Sequence, residues 1–172
     1  MRRSMDAPNR PPDVEFSSIC ELYGHFVRIF MDGKENPHEF ISKCGCKITV
    51  FDHHFFHMVK LQVPGREKLF MRDEKSTILS QNEGFGEYTY DAHRARHLHS
   101  AMETLVNPDC VYRTEGLRTA NRVFIKKYNS LPYSFTAALI GVRDSGLKVP
   151  VTAFPVRGTD LKKWVRGAKL FP

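Results

Sequence analysis

From Asp91 to Val106, apolar residues Leu98, Ala101, Met102, Leu105 and Val106 recur at the three-and-four spacing of a buried helical stripe. One helix is predicted over that span, with His93 and His97 a turn apart on another face. Asn107-Pro108-Asp109 ends it, because the residue before proline is driven out of the helical region. The period then drops to two. Arg122–Tyr128, Tyr133–Val142 and Val149–Val156 read as strands, and Asn129–Pro132 and Arg143–Gly146 supply the turns of an antiparallel meander. Near the other end, Phe16, Ile19, Leu22, Tyr23, Phe26, Ile29 and Phe30 predict a helix over Val14–Phe30, capped by Ser17 or Ser18.

Between these blocks the pattern is shorter-ranged. Glu39–Cys44 reads as a short helical turn and Lys47–Phe51 as a strand. Phe55–Val63 reads as the second arm of a hairpin, and Lys68–Met71 as a third short strand. Asp73–Glu87 is polar and contains glycine, as a mobile flap would be. The resulting expectation is an α+β fold: N-terminal helices and a β-hairpin, then a helix packed on an antiparallel β-meander.

The chain has 172 residues and 41% hydrophobic content, enough for one core. Residues 1–13 carry three arginines, three prolines and almost nothing to bury, so they read as a disordered basic arm ahead of a single domain over 14–172. Twenty-six Lys and Arg against nineteen Asp and Glu give a net charge of +7, which favours an anionic partner such as RNA. Cys20, Cys44, Cys46 and Cys110 are irregularly spaced and no secretory leader is evident, so a reduced, cytoplasmic setting is expected. No run of residues has the length and apolar character of a membrane span.

Three groups of residues bear chemistry. In the strand Arg122–Tyr128, parity sets Val123 and Ile125 against Arg122, Phe124, Lys126 and Tyr128, and in the last strand sets Val151 and Ala153 against Thr152 and Phe154. With Val123, Ile125, Val151 and Ala153 as the floor of the core, the other face offers cations to phosphates and rings to bases. An ordinary solvated face would have the same pattern. The second group is His93, His97 and His99 with Arg94 and Arg96 between them. Imidazoles suit a step in which a base removes the RNA 2′-hydroxyl proton, the oxygen attacks the adjacent phosphate, and an acid protonates the departing 5′-oxygen. A solvated helix face is the plain alternative. The third group, Cys44 and Cys46 with His53, His54 and His57, contains zinc-ligand types, but C-x-C is not the usual C-x2-C knuckle. P-loop, dinucleotide, H-E-x-x-H and G-x-S-x-G motifs are absent, which argues against kinases, dehydrogenases, zincins and serine hydrolases.

From about Asp91 to Pro155, the succession Arg96-His97-Leu98, Asn107-Pro108-Asp109-Cys110-Val111-Tyr112-Arg113, the strands Arg122–Tyr128 and Phe135–Val142, and the closing Val151-Thr152-Ala153-Phe154-Pro155 resembles the phage-associated nuclease domains of the barnase, EndoU, colicin and RelE-like class. The resemblance spans somewhat more than a third of the chain. It implies a metal-independent, toxin-like endoribonuclease that leaves a 2′,3′-cyclic phosphate and uses no cofactor. His97 matches the helix histidine, Arg113 follows the Pro-Asp break, and Thr152 and Phe154 sit in the closing motif. Strand parity, not the pattern of that class, adds Lys126 and Arg122; the expected catalytic set is His97, Arg113, Thr152, Lys126 and His93. Arg122, Phe124, Tyr128, Phe154 and Arg96 are expected to bind substrate, and no metal is expected. The expected partners are RNA and an inhibitor or immunity protein, with no membrane. Cys44–Cys46 and Asp52–His57 have no counterpart in that class. Two alternatives stay open: a non-catalytic nucleic-acid- or protein-binding module of the same fold, and a zinc-binding accessory protein.

Overall fold

The computed structural model describes residues 6–114 and 120–172. The fold is α+β, a five-stranded antiparallel sheet of order β6-β5-β4-β3-β7 with helices on one face and a separate two-stranded hairpin. The meander runs through β3 (Cys110–Arg113), β4 (Arg122–Lys127), β5 (Phe135–Val142) and β6 (Lys148–Val156), and β7 (Lys169–Phe171) returns to pair with β3.

α1 (Ile19–Phe30) buries the expected stripe of Ile19, Leu22, Tyr23, Phe26 and Phe30. Its boundary is set by Ser18, whose Oγ accepts the Glu21 N–H at 3.1 Å, while the Glu21 carboxylate accepts the Ser17 N–H at 2.7 Å. Together these satisfy donors that a helix N-terminus leaves unpaired. The residues from Val14 to Ser17 stay outside the helix.

The middle of the chain departs from expectation. The hairpin pairs β1 (His38–Ile41) with β2 (Lys47–Val50), so a strand stands where a helical turn was expected. Phe55–Val63 is not its second arm. His54–Met58 forms the helix α2, which buries His54, Phe55, Phe56 and Met58, because a short, nearly continuous apolar run carries no period that separates strand from helix. The predicted third strand at Lys68–Met71 is absent; Met71 opens α3 (Met71–Ser80), in place of the predicted flap. The buried side of α3 is only Met71, Glu74 and Ile78, too sparse and too polar to register as an apolar stripe. Glu74 is held by Arg66 and by the Tyr88 hydroxyl.

The histidine helix is two helices. α4 (Ala92–Arg96), capped by Asp91, breaks at His97, where ψ is 22° and the backbone N–H turns to the Arg94 carbonyl. α5 (Leu98–Val106) continues, with Leu98, Ala101 and Leu105 buried and Val106 exposed.

The alternation along β4 holds, but its sides are the reverse of those expected, while Ala153 lies under the helices as expected. Phe124, Ala138, Ile140 and Ala153 pack beneath the helices, while Val123, Ile125, Ala137 and Leu139 form a second cluster on the opposite face. Phe154, Trp164 and Val165 pack on that second cluster. The expected basic tail, Arg157–Lys169, therefore covers a face of the sheet. Val151 also joins the second cluster instead of siding with Ala153, because the β5–β6 register shifts at Leu139/Ile140.

The arm, over its described residues 6–13, is seated on the sheet end. The Arg10 guanidinium donates to Ser100 Oγ (3.0 Å), Thr136 Oγ1, and the carbonyls of Tyr133 (2.8 Å) and Phe135 (3.0 Å), and lies 4.5 Å from the Tyr128 ring centroid. The Asn129 N–H donates to the Pro8 carbonyl at 2.8 Å. A chain segment with nothing apolar to bury is thus fixed by one arginine satisfying backbone carbonyls that a strand end leaves free.

Phe124→Ala is expected to lower the unfolding free energy by about 3–5 kcal/mol, the cost of a buried phenyl cavity. Urea titration of the variant against wild type checks this; a loss below about 0.5 kcal/mol would mean that the ring faces solvent.

Candidate functional site

The expected substrate face of the meander is closed. Phe124 and Tyr128 are 0% and 1% exposed, so neither offers a ring to a base. The Tyr128 hydroxyl donates to Glu103 Oε2 at 2.7 Å, and burial raises the phenol well above its ordinary value. Lys126 is 7% exposed and its ammonium donates to the Asn107 carbonyl at 2.9 Å, capping the C-terminus of α5. Arg122 donates to Cys46 Sγ at 3.1 Å. Arg113, opposite Arg122 in β3, lies across β4 and β5 from Thr152, so these two expected catalytic residues are not brought together.

His93 and His97 do meet. Their rings stand edge to face with centroids 5.1 Å apart, and His93 packs 4.7 Å from Tyr133, over which Arg157 lies at 5.4 Å. His97 Nδ1 is 3.4 Å from Asp13 Oδ1, and Arg96 pairs with Glu15 at 2.8 Å. Burial lowers the His97 imidazole below its ordinary value, outweighing the Asp13 charge. The arm thus lies against this pair.

Thr152 belongs to another place. It borders an open groove of about 840 Å³ walled by α2, by the stretch from Lys60 to Arg72, by α4 and by β6. Arg94 crosses from α4 to donate to Thr152 Oγ1 at 2.9 Å; Asp91 holds the same guanidinium at 3.4 Å and the Phe154 ring lies 5.6 Å from it. Four cations, Lys60, Lys68, Arg72 and Arg94, line the groove against the one carboxylate of Glu67. His53 and His57, one helical turn apart, present exposed imidazoles to it. Partial enclosure, with the charge of Arg143 acting in the same sense, holds His57 below its ordinary value; enclosure also lowers His53, against the pull of Asp52. Phe70 is 50% exposed at the rim, with the Arg72 guanidinium 5.4 Å from its ring centroid. This is the exposed ring among cations that was expected on β4.

His53, His57, Lys60, Lys68, Phe70 and Arg72 were not assigned to the expected site. The signal was the i, i+4 spacing of His53 and His57, which lines one face in a strand as in a helix, but which was weighed only as part of a zinc-ligand set. His54 turns the other way: it is buried, its Nδ1 accepts the Phe51 N–H at 2.9 Å, and burial pushes its imidazole down to about 3. Cys44 and Cys46 sit in the hairpin turn beside Arg122. Among the described residues no three His, Cys, Asp or Glu side chains converge as a metal site, and no helix is long and apolar enough to cross a membrane.

Comparison of the chain with protein-family models, with curated proteins and with solved structures finds no match.

Because His54 is neutral when folded and titrates near 6.5 when unfolded, the unfolded chain takes up the proton first as pH falls. Stability is therefore full above about pH 6.5 and declines from there toward about pH 3. Between about pH 7 and pH 5 the expected loss from this residue is on the order of 1–2 kcal/mol. His54→Asn keeps an acceptor for Phe51 and removes the titration, so denaturation midpoints at the two pH values should lie closer together than in wild type. An unchanged gap would remove His54 from the acid response.

Proposed function

We propose that the chain binds single-stranded RNA along the groove and cleaves it without a metal, by 2′-hydroxyl transphosphorylation to a 2′,3′-cyclic phosphate. This is the activity of the nuclease class that Asp91–Pro155 resembles, carried out by a differently placed set of residues. The observation that carries the reading is the meeting, in one groove, of two exposed imidazoles, four cations and a half-exposed ring.

The chemistry asks for little more. One of His53 and His57 takes the 2′-hydroxyl proton; the oxygen attacks phosphorus; the bond from phosphorus to the 5′-oxygen breaks; the other imidazole, protonated, gives its proton to that oxygen. Arg94, pinned by Thr152 and Asp91, is pre-oriented toward the charge that grows on the phosphoryl oxygens. Lys60, Lys68 and Arg72 hold flanking phosphates, and Phe70 stacks a base. Since both imidazoles titrate below their ordinary value, the acid is sufficiently protonated only on the acidic side of neutrality, and the rate should peak below about pH 6.5.

Incubating the protein with mixed-sequence RNA in excess chelator, and reading the product ends, tests this. Cyclic phosphate ends are expected, with His57→Ala slowing cleavage by about 10²–10⁴-fold and Arg94→Met by about 10²–10³-fold. His97→Ala should cut at nearly the wild-type rate; if it alone abolished cleavage, the reaction would belong to the His93–His97 pair. Intact RNA across about pH 5–8 would overturn the enzyme reading. Binding without cleavage, with log affinity falling against log salt at a slope of about −3 for four phosphate contacts, would leave the binding module.

A further inference from the structure

A second cavity, of about 680 Å³, opens between α1, α5, the end of β4 and the seated arm, away from the groove. Ile29 and Met102 line it as apolar residues, and His25, Arg28, His99, Glu103 and Lys126 contribute its charged and imidazole groups. Two of these are unusual. His25 is 7% exposed, and its Nε2 is buried without a hydrogen-bond partner. Lys126 is as deeply buried, and among the described residues its ammonium has one hydrogen bond, to the Asn107 carbonyl, and no carboxylate within ion-pair distance. A buried cation is costly unless it is paired, and an ammonium has three protons to donate. Glu103 does not pair with it; that carboxylate accepts the Tyr128 hydroxyl at 2.7 Å.

We propose that this cavity binds a small amphipathic monoanion, a carboxylate on an apolar body, with the carboxylate on Lys126 and the His25 imidazole and the body against Ile29 and Met102. A single negative charge fits better than two, because Glu103 offsets one of the two cations, Lys126 and Arg28, that line the same space. Burial, aided by His99 and Arg28, pushes His25 down to about 4, so its imidazole is neutral and meets the ligand as a hydrogen-bonding group. The volume is in the range of small-molecule sites, and the mostly apolar lining accounts for the body of such a ligand. The inference does not depend on the RNA reading, since it uses none of the groove residues.

Octanoate and 1-octanol, which share a chain and differ in charge, are the probes. Titrated into the wild-type protein, octanoate should shift the imidazole C–H resonances of His25 and His99 saturably, with octanol weaker by about tenfold or more. Lys126→Met should weaken octanoate by about tenfold or more and leave octanol unchanged, while Met102→Trp, which fills the cavity, should weaken both. Equal binding of octanoate and octanol, or no saturable shift up to about 10 mM octanoate, would overturn the proposal. So would a folded Lys126→Met protein that binds octanoate as wild type does. The wild-type comparison stands even if a variant fails to fold.

Discussion

Burial of β4 and β5 on both faces is the constraint from which the rest of the architecture follows. With helices over Phe124, Ala138 and Ile140 and the C-terminal segment over Val123, Ile125 and Leu139, the central strands offer no open face to RNA, and only the Lys126 end of β4 borders a cavity. Every polar group on those strands must then find a partner inside the protein. Thr136 meets Arg10 of the arm, Tyr128 meets Glu103 of α5, and Lys126 caps the same helix. Residues that suggest substrate chemistry by type are, by position, the polar fastenings of a double-sided core. Accessible chemistry is displaced to the edge strand β6, where Thr152 borders the groove.

That displacement explains what the sequence could and could not reveal. α1 and the meander were legible because each follows one long period: a seven-residue apolar stripe in one case, alternating β-branched strands with Pro and Gly turns in the other. α2 and α3 were not, for opposite reasons. The run around Phe55 and Phe56 is apolar on both sides, and α3 buries a glutamate between Met71 and Ile78. Parity along β4 was legible too, but parity only separates two sides; it does not say which one the helices take. When both are apolar enough to be covered, a lysine and a tyrosine on the helix side do not veto the packing, because each can reach a partner at its polar tip.

The site was legible in kind more than in place. Cations, imidazoles and an aromatic ring were expected together, and they occur together, but the ring is Phe70 and the histidines are His53 and His57. Of the residues expected to be catalytic or to bind substrate, Thr152 reaches the groove directly. Phe154 supports it through Arg94, His93 and His97 form a separate pair under the arm, and Arg113 lies toward the far edge of the sheet. His53 and His57 share a face in a strand as in a helix; beside Cys44 and Cys46 they were read as zinc-ligand types, which is why they did not register as an acid–base pair.

The two outer attachments of the sheet have a consequence for the order in which the molecule can be completed during its own synthesis. Arg10 finds its partner Thr136 across 126 positions, and β3 acquires its outer neighbour only when Val111 meets Phe171. The arm must wait for strands that are translated after it, and one margin of the sheet stays unpaired until β7 emerges. Up to that point the nascent chain presents the strand edge of β3 and the apolar side of β4 and β5 to its surroundings. It is then most exposed to wrong pairing with a neighbouring chain.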